Sequence, residues 1–195
     1  MDGQDTAGGA LEPQQQAWRA AFERFAARHP ERAAAADRFI EFVCRHADAA
    51  HRELAIGHLT GSAWLVSADG RRVLLTHHRK LGLWLQLGGH ADGDADLARV
   101  ALREAEEESG LTDLVVDAEI FDLDCHAIPA RGAEPEHFHY DVRFVVRATG
   151  SERFTVGDES HALAWREIAD VAADATMDAS VRRMARTWLE ANRSA

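Results

Sequence analysis

Apolar positions recur along this chain with two different periods, and the change of period marks its organisation. From Gln14 to His29 (QQQAWRAAFERFAARH), Trp18, Phe22 and Phe25 stand at i, i+4 and i+7, the spacing of an amphipathic helix. Pro30 ends it, because proline cannot continue the hydrogen-bond ladder. A second helix is predicted over about Glu31 to Asp48, with Phe39, Ile40, Phe42 and Val43 on a broad apolar face. Together they predict an antiparallel helical hairpin over residues 14–50, expected to cap the domain that follows. Residues 1–13, rich in Gly, Ala and Asp, read as a disordered tail.

From about residue 51 the pattern becomes β-like. Leu54 to Val66 (LAIGHLTGSAWLV) predicts a strand, Asp69-Gly70 a tight hairpin turn, and Arg72 to His77 the returning strand. Leu83 to Leu87 (LWLQL) reads as a short strand running into Gly88-Gly89. Leu114 to His126 predicts another strand, followed by Pro129 and a loop through Glu136. His137 to Ala148 (HFHYDVRFVVRA) shows the clearest alternation. Ser160 to Trp165 predicts a short strand, Glu167 to Ala172 a helical turn, and Asp178 to Ala191 a terminal helix capped by Asp178. Mixed strands with interspersed helices predict an α/β or α+β sandwich over residues 51–195, one domain with a helical extension.

One stretch fits neither period simply. Leu87 to Leu111 (LGGHADGDADLARVALREAEEESGL) passes from a glycine pair through an Asp/Gly loop into a helix with an acidic last turn. Glu104, Glu107 and Glu108 lie three and four residues apart and share one helix face. Acids at a helix C-terminus oppose the helix dipole, so helix stability gives no reason for them. Two readings are open: a site for a hard divalent cation, held by carboxylates together with substrate phosphates, or a solvated acidic face.

Composition narrows the choices. The net charge is −11, which argues against a general binder of nucleic acid or of a membrane surface, since either needs a basic patch. A phosphorylated small substrate remains compatible, because a bound cation inverts the local field. Two cysteines, Cys44 and Cys125, in no metal-ligand spacing predict a reduced, cytoplasmic protein. The N-terminal residues lack the basic and apolar regions of a signal peptide, and no apolar run approaches a membrane span.

The glycine-to-glutamate stretch resembles the signature box of the Nudix hydrolases, G-x5-E-x7-R-E-U-x-E-E-x-G-U, where U is aliphatic. Gly89, Arg103, Glu104, Glu107, Glu108, Gly110 and Leu111 fall in register, with Ala105 in an aliphatic slot. The order of strands is similar too, so the resemblance covers about Leu54 to Asp170 and implies an αβα sandwich with a mixed β-sheet. One position departs. The box glutamate six residues after Gly89 is here Ala95, flanked by Asp94 and Asp96. The G-G-H-A-D-G-D entry looks like a common loop shortened by one residue, so Asp94 or Asp96 is expected to stand in as loop support beside Gly89.

The resemblance implies a metal-dependent pyrophosphohydrolase that attacks a diphosphate linkage of a nucleoside diphosphate derivative with water. The Gly88 carbonyl, Glu104, Glu107 and Glu108 would surround Mg²⁺ or Mn²⁺. Glu104 would alternatively orient or deprotonate the water, and Arg103 would hold the glutamates in place. Family members often add a loop glutamate six residues before a tryptophan, a position held here by Glu159 ahead of Trp165. Glu159 is catalytic on that reading and a solvated loop residue otherwise. A homodimer, common in the family, is a further implication. Two alternatives carry less. An isopentenyl-diphosphate isomerase would need a cysteine between Cys44 and Cys125, where none occurs. A non-catalytic nucleotide sensor would be expected to have lost the acidic run.

Substrate choice must come from outside the box. Asp122, Asp124 and His126 share one strand face on period-two geometry, as do His137, His139 and Asp141 on the next. If those faces meet across a hairpin, His126, His139 and Asp141 form a polar cluster: a second metal site, a set of contacts to phosphate or base, or else a ladder of polar cross-strand pairs. Arg79 and Lys80 are candidate phosphate contacts. His58, Thr60, His77, His78 and Gln86 are weaker candidates; Trp64 reads more as core, and Trp84 reads either way.

Overall fold

A computed structural model describes residues 10–78, 82–132, 135–155 and 160–193. The chain divides into two compact units, the first ending at Ala47 and the second beginning at Asp48. In the first unit, α1 (Pro13–Arg28) opens on a proline whose fixed φ suits the first helical turn. Its start is closed by a reciprocal box, in which the Glu12 amide donates to the Gln15 side chain at 2.9 Å. A 3₁₀ turn at Pro30–Arg32 leads into α2 (Ala33–Arg45), which stops three residues before the expected Asp48 because His46 turns extended. Phe22 and Phe39 meet edge-on at 5.3 Å, and the Gln15 amide donates to the Val43 carbonyl at 2.7 Å. These contacts lock the two helices as a pair.

The second unit is built on β1 (Gly57–Val66), a strand buried along its whole length. Around it lie β2 (Arg72–His78), β3 (Trp84–Leu85), β4 (Leu87–His90), β5 (Leu114–Ile128), β6 (His137–Ala148) and β7 (Ser160–Glu167). The sheet runs β3-β2-β1-β6-β5, with β4 also pairing with β1 and β7 with β2. The β1–β6 pair is parallel and the others are antiparallel. On one face, Trp64, Val66, Val73, Leu75 and Val145 pack with Ile168, Val171, Val181, Met184 and Trp188. The last five come from α4 (Ile168–Ala173) and α5 (Ala179–Ala191). Trp64 is therefore core. Asp178 caps α5, accepting from the Ser180 and Val181 amides.

The opposite face receives α3 (Leu97–Ser109), through Leu97, Val100, Ala101 and Ala105. A Cβ at Gly61 would come within 2.8 Å of Val100, so glycine is what lets the helix lie this close to β1. The chain is thus an αβα sandwich with a mixed sheet. One expected element differs. The strand predicted over Leu83 to Leu87 breaks at Gln86, because β3 pairs with β2 whereas β4 crosses to β1. The glycine pair accordingly lies inside β4 and not after a strand.

Candidate functional site

Asp96 caps α3 by accepting from the Arg99 amide at 3.1 Å. Asp94 accepts from the Asp96 amide and from the Arg99 guanidinium, which ties the loop to the helix start. The two aspartates beside Ala95 thereby set the register of the helix without any glutamate at 95. Ahead of them, Asp92 and Gly93 both take positive φ, and Asp92 is clasped by Arg52 at 2.6 and 2.9 Å.

Along α3, Ala101 and Ala105 turn inward and carry Glu104 and Glu108 toward β4. Glu104 lies flat against Gly89, where an added Cβ would sit 2.4 Å from its carboxylate. Glu108 accepts the Gly88 amide hydrogen at 2.8 Å. Arg103 bridges the Glu104 carboxylate at 2.8 Å and the His90 carbonyl at 3.0 Å. Glu107 projects to solvent one turn on, with its carboxylate 4.0 Å from the Arg103 guanidinium. Burial raises the Glu104 carboxyl above its ordinary range, and its pairing with Arg103 only partly offsets that. The net result is a carboxyl that holds its proton more tightly than an ordinary glutamate.

On the other face of the glycine strand opens a cleft of about 460 Å³, lined by Thr60, Ser62, Gln86, Gly88, Gly89, His126 and Asp141. A Cβ at Gly88 would come within 2.1 Å of the Ser62 hydroxyl. Bare backbone is thus all that separates the cleft from the glutamates.

Asp141 is saturated. Its carboxylate accepts from Thr60 at 3.0 Å, Ser62 at 2.7 Å, Gln86 at 3.1 Å and Arg143 at 2.7 Å. Arg143, fully buried, also reaches Asp122 at 3.1 Å, and Arg183 from α5 joins Asp122 and Asp124. Burial works to raise the Asp124 carboxyl, but His126, Arg143 and Arg183 outweigh it and hold it well below the usual range. The strand faces meet in register, Asp124 opposite Asp141 and His126 opposite His139. His126, however, pairs with Asp124 at 3.2 Å and not with Asp141.

The histidines form a group of their own. The rings of His90, His137 and His139 lie 5.0, 5.1 and 4.8 Å from that of His58. His137 and His139 approach through their Nε2 atoms at 3.3 Å. Burial lowers the His58 imidazole to about 4 and His139 to about 3, so both are neutral at pH 7. His58 and His90 were weak or absent as sequence candidates. The signal for His58 is the alternation His58, Thr60, Ser62 along β1, whose partner strand no local pattern names; His90 follows the glycine pair at the end of β4. Arg79, Lys80 and Glu159 lie outside the described residues.

The NUDIX domain family model matches residues 58–188, a span that includes the glycine strand, α3 and the cleft. The chain belongs to the Nudix family. That family comprises hydrolases acting on phosphorus-containing anhydrides, and the chain is one of them. Nudix hydrolases act on small-molecule diphosphates and generally need divalent metal ions. Among solved structures, a Caenorhabditis elegans Ap4A hydrolase binary complex is similar at 17% identity, with 70% of this chain and 98% of that chain covered and a TM-score of 0.56. A MutT protein from Methanosarcina mazei Go1 is similar at 18% identity, over 72% and 98% of the two chains, with a TM-score of 0.54. The Escherichia coli dihydroneopterin triphosphate pyrophosphohydrolase is similar at 16% identity, over 68% and 95%, with a TM-score of 0.52. These likenesses show the common fold. No curated protein matches the sequence. Among the described residues, no helix is long and apolar enough to cross a membrane.

Proposed function

We propose that this Nudix hydrolase cleaves a diphosphate linkage in a nucleoside diphosphate derivative by attack of water at phosphorus, with Mg²⁺ or Mn²⁺. The observation that carries the reading is the seating of Glu104 and Glu108 against Gly89 and Gly88, the strand that also lines the cleft. The donor set fits a hard cation: Glu104, Glu107, Glu108 and the Gly88 carbonyl offer only oxygen. The under-compensated charge of Glu104 is what such an ion would balance. When bound, the ion supplies charge neutralisation at the phosphate oxygens and a more acidic water.

The remaining work falls to the chain itself. Arg103, fixed between Glu104 and the His90 carbonyl, holds the carboxylates at the glycine strand. Glu104, whose proton affinity is raised by burial, is suited to orient or deprotonate the attacking water. The side-chain-free Gly88 and Gly89 let a phosphate in the cleft approach the carboxylates closely. The cleft volume of about 460 Å³ lies within the range of small-molecule sites. Asp141 lines the cleft with its charge already taken up by the buried Arg143.

A phosphate-release screen tests the reading, using nucleoside triphosphates, sugar nucleotides, dinucleoside polyphosphates and coenzyme derivatives with Mg²⁺, Mn²⁺ or EDTA. Cation-dependent release from at least one class is expected. Tight nucleotide binding without release across the panel would replace hydrolysis with a sensing role.

A further inference from the structure

The structure also contains a group of nitrogen donors that hydrolysis at the glutamates does not use. His58 on β1, His90 on β4 and His139 on β6 bring one ligand atom each within 4.8 Å of the others. Three separate strands therefore deliver imidazoles to one point, at the end of the sheet where β1 begins. His58 is 3% exposed, and among the described residues neither of its ring nitrogens has a hydrogen-bond partner. A buried imidazole with two unsatisfied nitrogens costs free energy unless something engages it. Hydrophobic packing would be served better by Phe or Leu in that position.

We propose that His58, His90 and His139 form a second metal site, for a borderline transition-metal ion of the Zn²⁺ class, separate from the carboxylate site on α3. The donor chemistry decides the class: imidazoles suit Zn²⁺ and its neighbours, whereas Mg²⁺ takes oxygen. Bonds of about 2.0–2.1 Å to a tetrahedral ion require the nitrogens to close to about 3.4 Å, which side-chain rotation of the half-buried His90 and His139 supplies. Three protein ligands leave a fourth position, next to His137, which lies 3.3 Å from His139 through its own Nε2. Arg52 is the resident cation beside the group. It donates to His90 Nδ1 at 3.2 Å while its stronger bonds go to Asp92. Binding through His90 releases that long contact and leaves the Arg52–Asp92 pair in place. A filled site would tie β1, β4 and β6 together at one end and so add to stability.

The test uses the full chain, free of any affinity tag and stripped with EDTA, titrated with Co²⁺ and then Zn²⁺. The visible absorption bands of nitrogen-coordinated cobalt are expected to saturate at one equivalent per chain and to be displaced by Zn²⁺, whatever further Co²⁺ the carboxylates take up without such bands. At a 100-fold excess over the dissociation constant, Zn²⁺ should raise the melting temperature by about 5 to 10 °C. His58→Phe keeps a ring in the core and should weaken binding by at least about 100-fold. If circular dichroism shows that variant unfolded, His139→Phe carries the same expectation from a less central position. Glu108→Gln should leave the cobalt spectrum unchanged. The proposal is overturned if Co²⁺ gives no such bands, or if they survive in the folded histidine variants. Loss of the bands in Glu108→Gln alone would place the ion at the carboxylates and overturn it equally.

Discussion

Two groups of acidic side chains lie within this one sandwich, and they are handled in opposite ways. On β5 and β6, Asp122, Asp124 and Asp141 are buried or half-buried, and each is answered by Arg143 or Arg183. Arg143 is stabilised as a cation by those carboxylates against the cost of its burial, and Asp124 is held well below the ordinary carboxylate range. On α3, Glu104 is likewise half-buried, yet its carboxyl is pushed upward, because one arginine does not compensate its desolvation. The first group is an internally balanced structural network. In the second, burial outweighs the single arginine, and the Glu104 carboxyl holds its proton more tightly than an ordinary glutamate. Residue type alone does not separate them; what differs is the number of fixed positive partners within reach.

That contrast is open to direct attack. The largest effect is expected at Glu104→Gln, which should lower hydrolysis by about 10³-fold in steady-state assays. Removing an under-compensated charge should cost little stability, so chemical denaturation should give a midpoint close to that of the wild type. Arg143→Met should do the reverse. Leaving buried carboxylates without their partner is expected to cost about 3–5 kcal/mol in denaturant unfolding. A mild loss there would mean that the network is not the balanced structure described above.

Gly89→Ala probes the seating of the glutamates more gently. The new Cβ would meet the far end of Glu104, which can swing away, so the melting temperature should barely move. A carboxylate displaced by about 1 Å should nevertheless cost up to about 10²-fold in rate. Unchanged kinetics would detach Glu104 from the chemistry.

The smallest effect concerns pH. The folded Asp124 stays ionised below the 3.8 of an ordinary aspartate, so the unfolded chain takes up the proton first. Its contribution is therefore present above about pH 4 and is lost as pH falls further. Asp124→Asn should be less stable than the wild type at neutral pH, and the gap should close as unfolding is measured at progressively lower pH. A gap that widened on acidification would reverse the sign argued for this group.

Part of this arrangement is legible in the sequence alone. Strand β6 keeps the bounds its alternation predicted, Asp178 caps the terminal helix, and Glu104 and Glu108, one turn apart, both reach β4, whereas Glu107, expected on the same face, projects to solvent. These are local properties, set by residues within a few positions of one another. What could not be read was long-range pairing. The parallel alignment of β1 with β6 brings His58 beside His139 and Thr60 beside Asp141, residues eighty-one positions apart. No local pattern names a strand's partner, so the saturation of Asp141, and the place of His58 and His90 beside His139, are not legible there. The break at Gln86 was hidden for the same reason, since it depends on β4 leaving β2 for β1.

The most direct test of the catalytic account is phosphate release by Glu108→Gln, with the best substrate from the screen and saturating Mg²⁺. The account predicts a fall of about 10²–10³-fold with an unchanged circular dichroism spectrum. Turnover like that of the wild type would contradict it.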